Sequence, residues 1–151
     1  MKAYVCALRM LAQRRLTRAQ LVQKLERKGF DEDAVRGAVG RCERDGYVDD
    51  KLFAQLYVEQ KRKAVGDARL VGELVKKGID RDCAAQAVRA ASVEEAVRAE
   101  SALEKIFRTK SGTSYQSAAR TLERLGFPAS LIYRKLREHA AQHGPFAGMQ
   151  R

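Results

Sequence analysis

The sequence predicts an all-α protein made of three tandem three-helix repeats, forming an elongated, curved molecule. Two observations carry that prediction. The first is self-similarity. Leu25, Gly29, Phe30 and Asp31 recur as Leu74, Gly78, Ile79 and Asp80, and again as Leu122, Gly126, Phe127 and Pro128. The leucines fall 49 and 48 residues apart. The second is apolar spacing of three and four, as in Tyr4, Leu8, Leu11 and in Ala99, Leu103, Ile106, Phe107. That spacing lines one helix face. β-Branched residues are scattered rather than alternating, which disfavours strands.

The elements follow in order. Helices are expected over 2–14, 18–28, 32–45, 50–64, 68–77, 81–91, 93–109, 114–125 and 129–142. The first helix carries Tyr4, Leu8 and Leu11 on one side. Thr17 and Gln20 form a capping box for the second, stapled by Leu16 and Leu21. Gly29, Gly78 and Gly126 each end a second helix in the left-handed conformation that only glycine adopts without a Cβ penalty. The following Phe30, Ile79 and Phe127 fold back on the leucine five residues earlier. Asp31 and Asp80 cap the third helices. Pro128 replaces the aspartate in the last repeat, tolerated where a helix start needs no N–H. Asp49 and Asp50 open the fourth helix, with Phe53 at the staple position. Asp67 is expected to cap the fifth helix after Gly66. Ser92 with Glu95, and Thr113 with Gln116, read as further capping boxes. The repeats then span 1–46, 47–91 and 92–142, joined first by Gly46-Tyr47-Val48. Residues 143–151 read as a flexible tail. A three-helix unit of this size is marginal alone, so stacking on a neighbour should help bury it.

Composition narrows the function. The 151 residues carry 30 Lys+Arg against 19 Asp+Glu, a formal net charge of +11. By thirds the nets are +5, +2 and +4. The charge therefore belongs to the folded body, not to a tail, and favours an extended polyanionic partner. No run approaches the roughly 20 apolar residues that span a bilayer. Arg9 comes too early for a signal-peptide core. Cys6, Cys42 and Cys83 are odd in number and widely spaced, which disfavours disulfides and zinc. They read as small hydrophobes in a reducing cytoplasm.

The chemistry of catalysis is missing. There is no glycine-rich phosphate loop, and no nucleophile has a base partner. His139 and His143 share a helix face at i, i+4 spacing but lie beside the tail, where an exposed terminal turn is expected. The acidic pairs Asp31/Asp33, Asp49/Asp50 and Glu94/Glu95 sit at helix starts and complement the macrodipole. A non-enzymatic protein without cofactor or metal is expected.

Several strings carry a resemblance. Ala7-Leu8-Arg9-Met10-Leu11 is followed by Thr17, Arg18, Leu21, Lys24, Leu25, Lys28, Gly29 and Phe30. Then come Asp45-Gly46-Tyr47-Val48-Asp49-Asp50, Phe53-Ala54 and Tyr57-Val58, and after them Glu73-Leu74 and Lys77-Gly78-Ile79. The set resembles RecX regulatory proteins, strongly over about residues 3–90 and more loosely beyond. The resemblance implies tandem three-helix repeats. It also implies a protein that binds the recombinase RecA, lodges in the groove of the RecA–DNA filament, impedes its growth and strand exchange, and so lowers recombination and SOS induction. One stretch departs from the family, which is typically basic and proline-containing before the fifth helix. Here Ala64-Val65-Gly66-Asp67-Ala68 stands there, with Gly72 inside the helix, and a contact from this helix start is expected to be weaker.

Within that reading the basic residues along an extended face meet acidic protein and phosphate together. Candidates are Arg14, Arg15 and Arg18 in the first repeat. In the second they are Lys61, Arg62, Lys63, Arg69, Lys76 and Lys77, and in the third Arg120, Arg124, Arg134 and Arg137. A monomer is expected. The alternative is an autonomous, sequence-nonspecific DNA-binding protein, since three-helix units resemble helix-turn-helix modules. Its third helices are poor readers, starting with Glu32-Asp33 or carrying Asp82 and mostly alanine.

Overall fold

The computed structural model describes residues 2–61, 65–90, 94–110 and 112–143. Among them all regular structure is helical. The helices are α1 (Lys2–Gln13), α2 (Arg18–Arg27), α3 (Glu32–Arg44), α4 (Asp50–Lys61), α5 (Asp67–Lys76), α6 (Arg81–Arg89), α7 (Glu95–Thr109), α8 (Tyr115–Arg124) and α9 (Ala129–His143). Each matches an expected helix to within three residues at either end, except where an expected end reaches residues outside the description. The expected Ser92 capping box and the tail beyond His143 also lie outside the described residues.

The helix junctions take the expected form. Gly29, Gly78 and Gly126 have φ of +95°, +94° and +95°. In each, the glycine N–H donates to the carbonyl three residues back, at Glu26, Val75 and Glu123. The next N–H donates to the carbonyl five residues back, at Leu25, Leu74 and Leu122. This is the double closure of a Schellman turn, and it satisfies carbonyls a helix end would leave open. Leu25, Leu74, Leu122, Ile79 and Phe127 are buried beneath these turns, and Phe30 is half-buried. Gly46 closes α3 the same way, with Gly46 donating to Glu43 and Tyr47 to Cys42.

Helix starts show where local grammar holds and where it gives way. The Thr17 hydroxyl accepts from the Gln20 N–H at 3.1 Å, and the Gln20 side chain accepts from the Thr17 N–H at 3.0 Å, a complete capping box. Asp31, Asp49 and Asp80 cap their helices through the N–H groups of Ala34, Leu52 and Cys83. At α8 the cap moves by one residue. Ser114 accepts from Ser117 N–H, while the Thr113 hydroxyl donates back to the Lys110 carbonyl. The shift places Tyr115 on the buried side, edge-on to Phe107. Asp67 does not cap α5 but is its first residue.

The chain divides into two compact units. One comprises Met1–Tyr57 and Glu73–Arg89, the other Val58–Gly72 and Ala90–Arg151. In the first, α1, α2 and α3 pack on one another around Ala7, Leu16, Leu21, Leu25, Val39 and Cys42. In the second, α7, α8 and α9 surround Ala99, Leu103, Ala118, Leu122, Phe127 and Ile132. Lys135, also buried there, is neutralised by Glu100 and Glu138, each at 3.1 Å.

His139 does not stand on an exposed turn as expected. Its ring stacks on Phe107, with centroids 4.4 Å apart, and its Nδ1 lies 3.0 Å from the Tyr115 hydroxyl. Burial, and then the neighbouring His143, hold its pKa below the ordinary histidine value. Burial likewise pushes the Cys42 and Cys83 thiols up, away from the reactive thiolate.

Candidate functional site

The basic residues are positioned by two seams of the same construction, one inside each compact unit. In the first unit the start of α2 meets the junction between α5 and α6. The Thr17 hydroxyl, besides capping its own helix, donates to the Lys77 carbonyl at 2.7 Å. The Arg18 N–H donates to Asp50 Oδ1, at the start of α4, at 2.8 Å. Gly78 lies under Ala19, and a Cβ on it would fall 2.3 Å from the Ala19 methyl. The glycine therefore supplies both the turn and the space.

The second unit repeats the arrangement one repeat further along. The start of α5 meets the junction between α8 and α9. Gly66 takes the place of Thr17, and its backbone N–H donates to the Leu125 carbonyl at 2.7 Å. The Asp67 N–H donates to Glu95 Oε2, at the start of α7, at 2.8 Å. A Cβ on Gly126 would fall 2.4 Å from that of Arg69, and one on Gly66 would fall 2.3 Å from the Gly126 carbonyl carbon. Glu95 is thus tied to the start of α5, where its negative charge suits the helix end. Arg98, 2% exposed, completes the seam by donating to the Val65 carbonyl and to the Asp67 carboxylate. Such a pairing is the ordinary requirement for a buried guanidinium. The short Gly66 segment is the physical form of the departure noted in the sequence.

These seams bring candidates from successive repeats together. Arg18, Lys76 and Lys77 line one open groove of about 450 Å³ in the first unit, with Gln23 and Glu26 beside them. Arg18 also pairs with Glu43 at 3.3 Å, and the Lys77 ammonium lies 5.4 Å from the Tyr57 ring centre. In the second unit the Arg69 guanidinium donates to the Arg124 carbonyl at 3.3 Å, while the Arg124 guanidinium donates to Thr121 Oγ1 at 3.3 Å. Arg120 and Arg137 flank a separate groove between α8 and α9. Arg134 is exposed on α9, Lys61 is exposed at the end of α4, and Arg15 is exposed after α1. Arg62 and Lys63 lie outside the described residues.

Arg14 belongs to a cluster that the reading of the sequence missed. A groove of about 620 Å³ between α1 and α2 collects Arg9, Arg14, Lys24, Arg27 and Lys28, with no acidic residue in its lining. None of the five makes an ion pair with another described residue. The signal was present as the spacing Lys24, Arg27, Lys28, which is i, i+3, i+4 on one face of α2. Arg98 was missed as well, because its partner lies 31 residues away. Among the described residues, no group of three or more His, Cys, Asp or Glu could hold a metal ion, and no helix is long and apolar enough to cross a membrane.

Sequence comparison places this architecture. The chain matches the family descriptions "RecX, first three-helix domain" over residues 3–42 and "RecX, second three-helix domain" over residues 49–88. The "Regulatory protein RecX" of Amycolatopsis mediterranei is 34% identical over 142 residues, covering 89% of this chain and 81% of the relative. That of Thermus thermophilus is 33% identical over 127 residues, 84% of each chain. That of Legionella pneumophila is 31% identical over 141 residues, 91% of this chain and 94% of the relative. The fold is similar to the crystal structure of RecX from Lactobacillus salivarius, with a TM-score of 0.78 and 23% identity, covering 91% of this chain and 94% of that one. A second RecX crystal structure gives a TM-score of 0.80 at 24% identity, covering 91% and 72%. The two Schellman-turn repeats that fall inside the matched segments are thus those of known three-helix domains, and the chain belongs to the RecX family of regulatory proteins.

Proposed function

We propose that the protein is a non-enzymatic regulator that seats, as a monomer, in the groove of the RecA–DNA filament. There it acts mainly as an inhibitor of filament growth, ATP hydrolysis and strand exchange, and so restrains recombination repair and SOS induction. The observation that best supports this reading is the pair of seams. Each ties basic residues of consecutive repeats together, Arg18 with Lys76 and Lys77 along one groove and the Arg69 guanidinium with the backbone of Arg124. A nucleoprotein filament presents phosphates and protein carboxylates together, and a repeated cationic edge meets both without reading sequence. No cofactor or metal is required for such a role.

The test is RecA-dependent ATP hydrolysis on single-stranded DNA, with and without the protein. A fall in rate that is lost on reversing Arg18, Lys76 and Lys77 to Glu supports the reading. An unchanged rate opposes it.

The cationic groove between α1 and α2 favours a second reading, direct sequence-nonspecific DNA binding. On that reading each lost phosphate contact lowers the slope of log affinity against log salt by about 0.9 on duplex DNA. Reversals in the groove would weaken filament and bare-DNA binding in parallel.

A further inference from the structure

Helix α2 borders two separate grooves on different faces. Ala19, Val22, Gln23 and Glu26 line the groove that holds Arg18, Lys76 and Lys77. Lys24, Arg27 and Lys28 line the groove against α1, together with Arg9 and Arg14. The two grooves share no lining residue. At about 3.6 residues per turn, the two sets of α2 residues point roughly 140° apart. Leu21 and Leu25, both buried, take the remaining side. A ligand in one groove therefore leaves the other open.

The cationic wall of the α1–α2 groove is particular to the first repeat. Its five cations are joined by no acidic residue in the lining. None of them pairs with another described residue. Repeat equivalence aligns Leu25 with Leu74 and Leu122, so Lys24 corresponds to Glu73 and Thr121, and Lys28 to Lys77 and Leu125. Glu73 accepts from the Tyr57 hydroxyl at 2.6 Å, and the Thr121 hydroxyl donates to the Ser117 carbonyl at 3.2 Å. The packing of a three-helix unit thus does not require this wall. Five unpaired like charges repel one another, and a polyanion relieves that repulsion.

We propose that this groove grips the sugar–phosphate backbone of a nucleic-acid duplex while the groove of Arg18, Lys76 and Lys77 faces the RecA filament, so that one molecule bridges the two. The proposal rests on the filament reading for the second partner only. Charge complementarity selects a polyanion, and the lining selects among polyanions. Its apolar members are Cys6 and Met10, half-buried, and Leu16, buried, so an acidic protein would find no exposed anchor of the kind that carries interface energy. It contains no aromatic side chain, so the unstacked bases of a single strand would find no platform. A duplex asks for neither, because its backbone is held through phosphate contacts. Arg9, Arg14 and Arg27 can each offer a phosphate two parallel N–H donors.

The experiment uses the full chain and two triple reversals that remove the same charge. The groove triple is Arg9→Glu, Arg27→Glu and Lys28→Glu, and the seam triple is Arg18→Glu, Lys76→Glu and Lys77→Glu. Arg9, Arg27 and Lys28 are exposed, so circular dichroism should show the fold intact. Gln in place of Glu carries the same comparison, with smaller losses, should a melt show otherwise. A short fluorescent duplex is titrated with each protein at two salt concentrations and read by anisotropy. The groove triple should weaken duplex binding at least about tenfold and lower the slope of log affinity against log salt by about 2 or more. It should leave the effect on RecA-dependent ATP hydrolysis within about twofold, whereas the seam triple should do the reverse. RecA filaments on bead-bound single strands should then retain a labelled duplex of unrelated sequence only when the wild-type chain is added. Either triple should lose that retention, and the two triples mixed should not restore it, because both grooves must lie on one molecule. Duplex binding indifferent to the groove triple, parallel losses in both assays from either triple, or no retention by the wild-type chain would each overturn the proposal. A wild-type chain without effect on RecA would end the filament reading and the bridge with it, and the anisotropy would still show separately whether the groove holds duplex.

Discussion

Gly29 and Gly78 end equivalent helices with nearly identical backbones, φ +95° and +94°, yet they stand in different surroundings. A Cβ added at Gly29 would meet nothing within 4 Å, whereas one at Gly78 would overlap the Ala19 methyl and one at Gly126 the backbone of Arg69. The difference follows from direction. Each seam joins the start of a repeat's second helix to the glycine junction of the next repeat. In the first repeat no described helix start is seated on the glycine junction, and a Cβ at Gly29 faces open space. That repeat's first helix also lacks an acidic residue in the opening turn, where α4 supplies Asp50 and α7 supplies Glu95. One local motif therefore does two jobs. Everywhere it stops a helix, and only at Gly78 and Gly126 does it also admit a neighbouring backbone.

The largest way to sharpen this comparison is to cut the buried tie of the second seam. Arg98→Met should cost about 3 kcal/mol, because it leaves the Val65 carbonyl without its donor and removes the charged partner of the 40% exposed Asp67 carboxylate. The seam of the first unit carries the surface pair of Arg18 and Glu43, and Arg18→Met should change stability by less than about 1 kcal/mol. Urea denaturation of both variants checks this, and equal losses would break the distinction.

A smaller effect separates a cap that belongs to a seam from a cap that does not. Thr17→Ala loses both the capping bond and the bond to Lys77, and should cost about 2 kcal/mol. Ser114→Ala loses only a cap, and should cost about 1 kcal/mol. Matching melting shifts would show that the Thr17 hydroxyl contributes nothing across its seam.

The smallest effect is expected in pH. His139 sits against Phe107, Tyr115 and His143, with its pKa held below the ordinary value of 6.5. The unfolded chain then binds a proton that the folded chain refuses. Stability should fall as pH drops below about 6.5 and level off only beneath the depressed folded value. His139→Phe should flatten that part of the profile. A wild-type melting midpoint that rises on acidification from pH 7 to 5 would contradict the assignment.

What could be read from the residues was what they encode locally. The Schellman turns, the Thr17 box and the caps at Asp31, Asp49 and Asp80 need only a few neighbouring residues. One helix start was misread for the opposite reason. Asp67 looks like the cap of its own helix, but it is the first residue of α5, its N–H held by Glu95 and its carboxylate by Arg98, through contacts spanning 28 and 31 residues. The cations were visible singly, but not their grouping. The seam that sets Arg18 beside Lys76 and Lys77 depends on Gly78 having no side chain where Ala19 packs. The α1–α2 groove required combining two helix faces that carry no shared motif.

The central claim is that the glycine junctions of the later repeats are sockets and that of the first repeat is only a turn. The direct measurement is urea denaturation of Gly29→Ala, Gly78→Ala and Gly126→Ala. Gly29→Ala should lose about 1–2 kcal/mol, the cost of a Cβ in the left-handed region. Gly78→Ala and Gly126→Ala should each lose about 1–3 kcal/mol more, because the added methyl must displace a packed neighbour. Three equal losses would show that the turns act alone and would contradict the account.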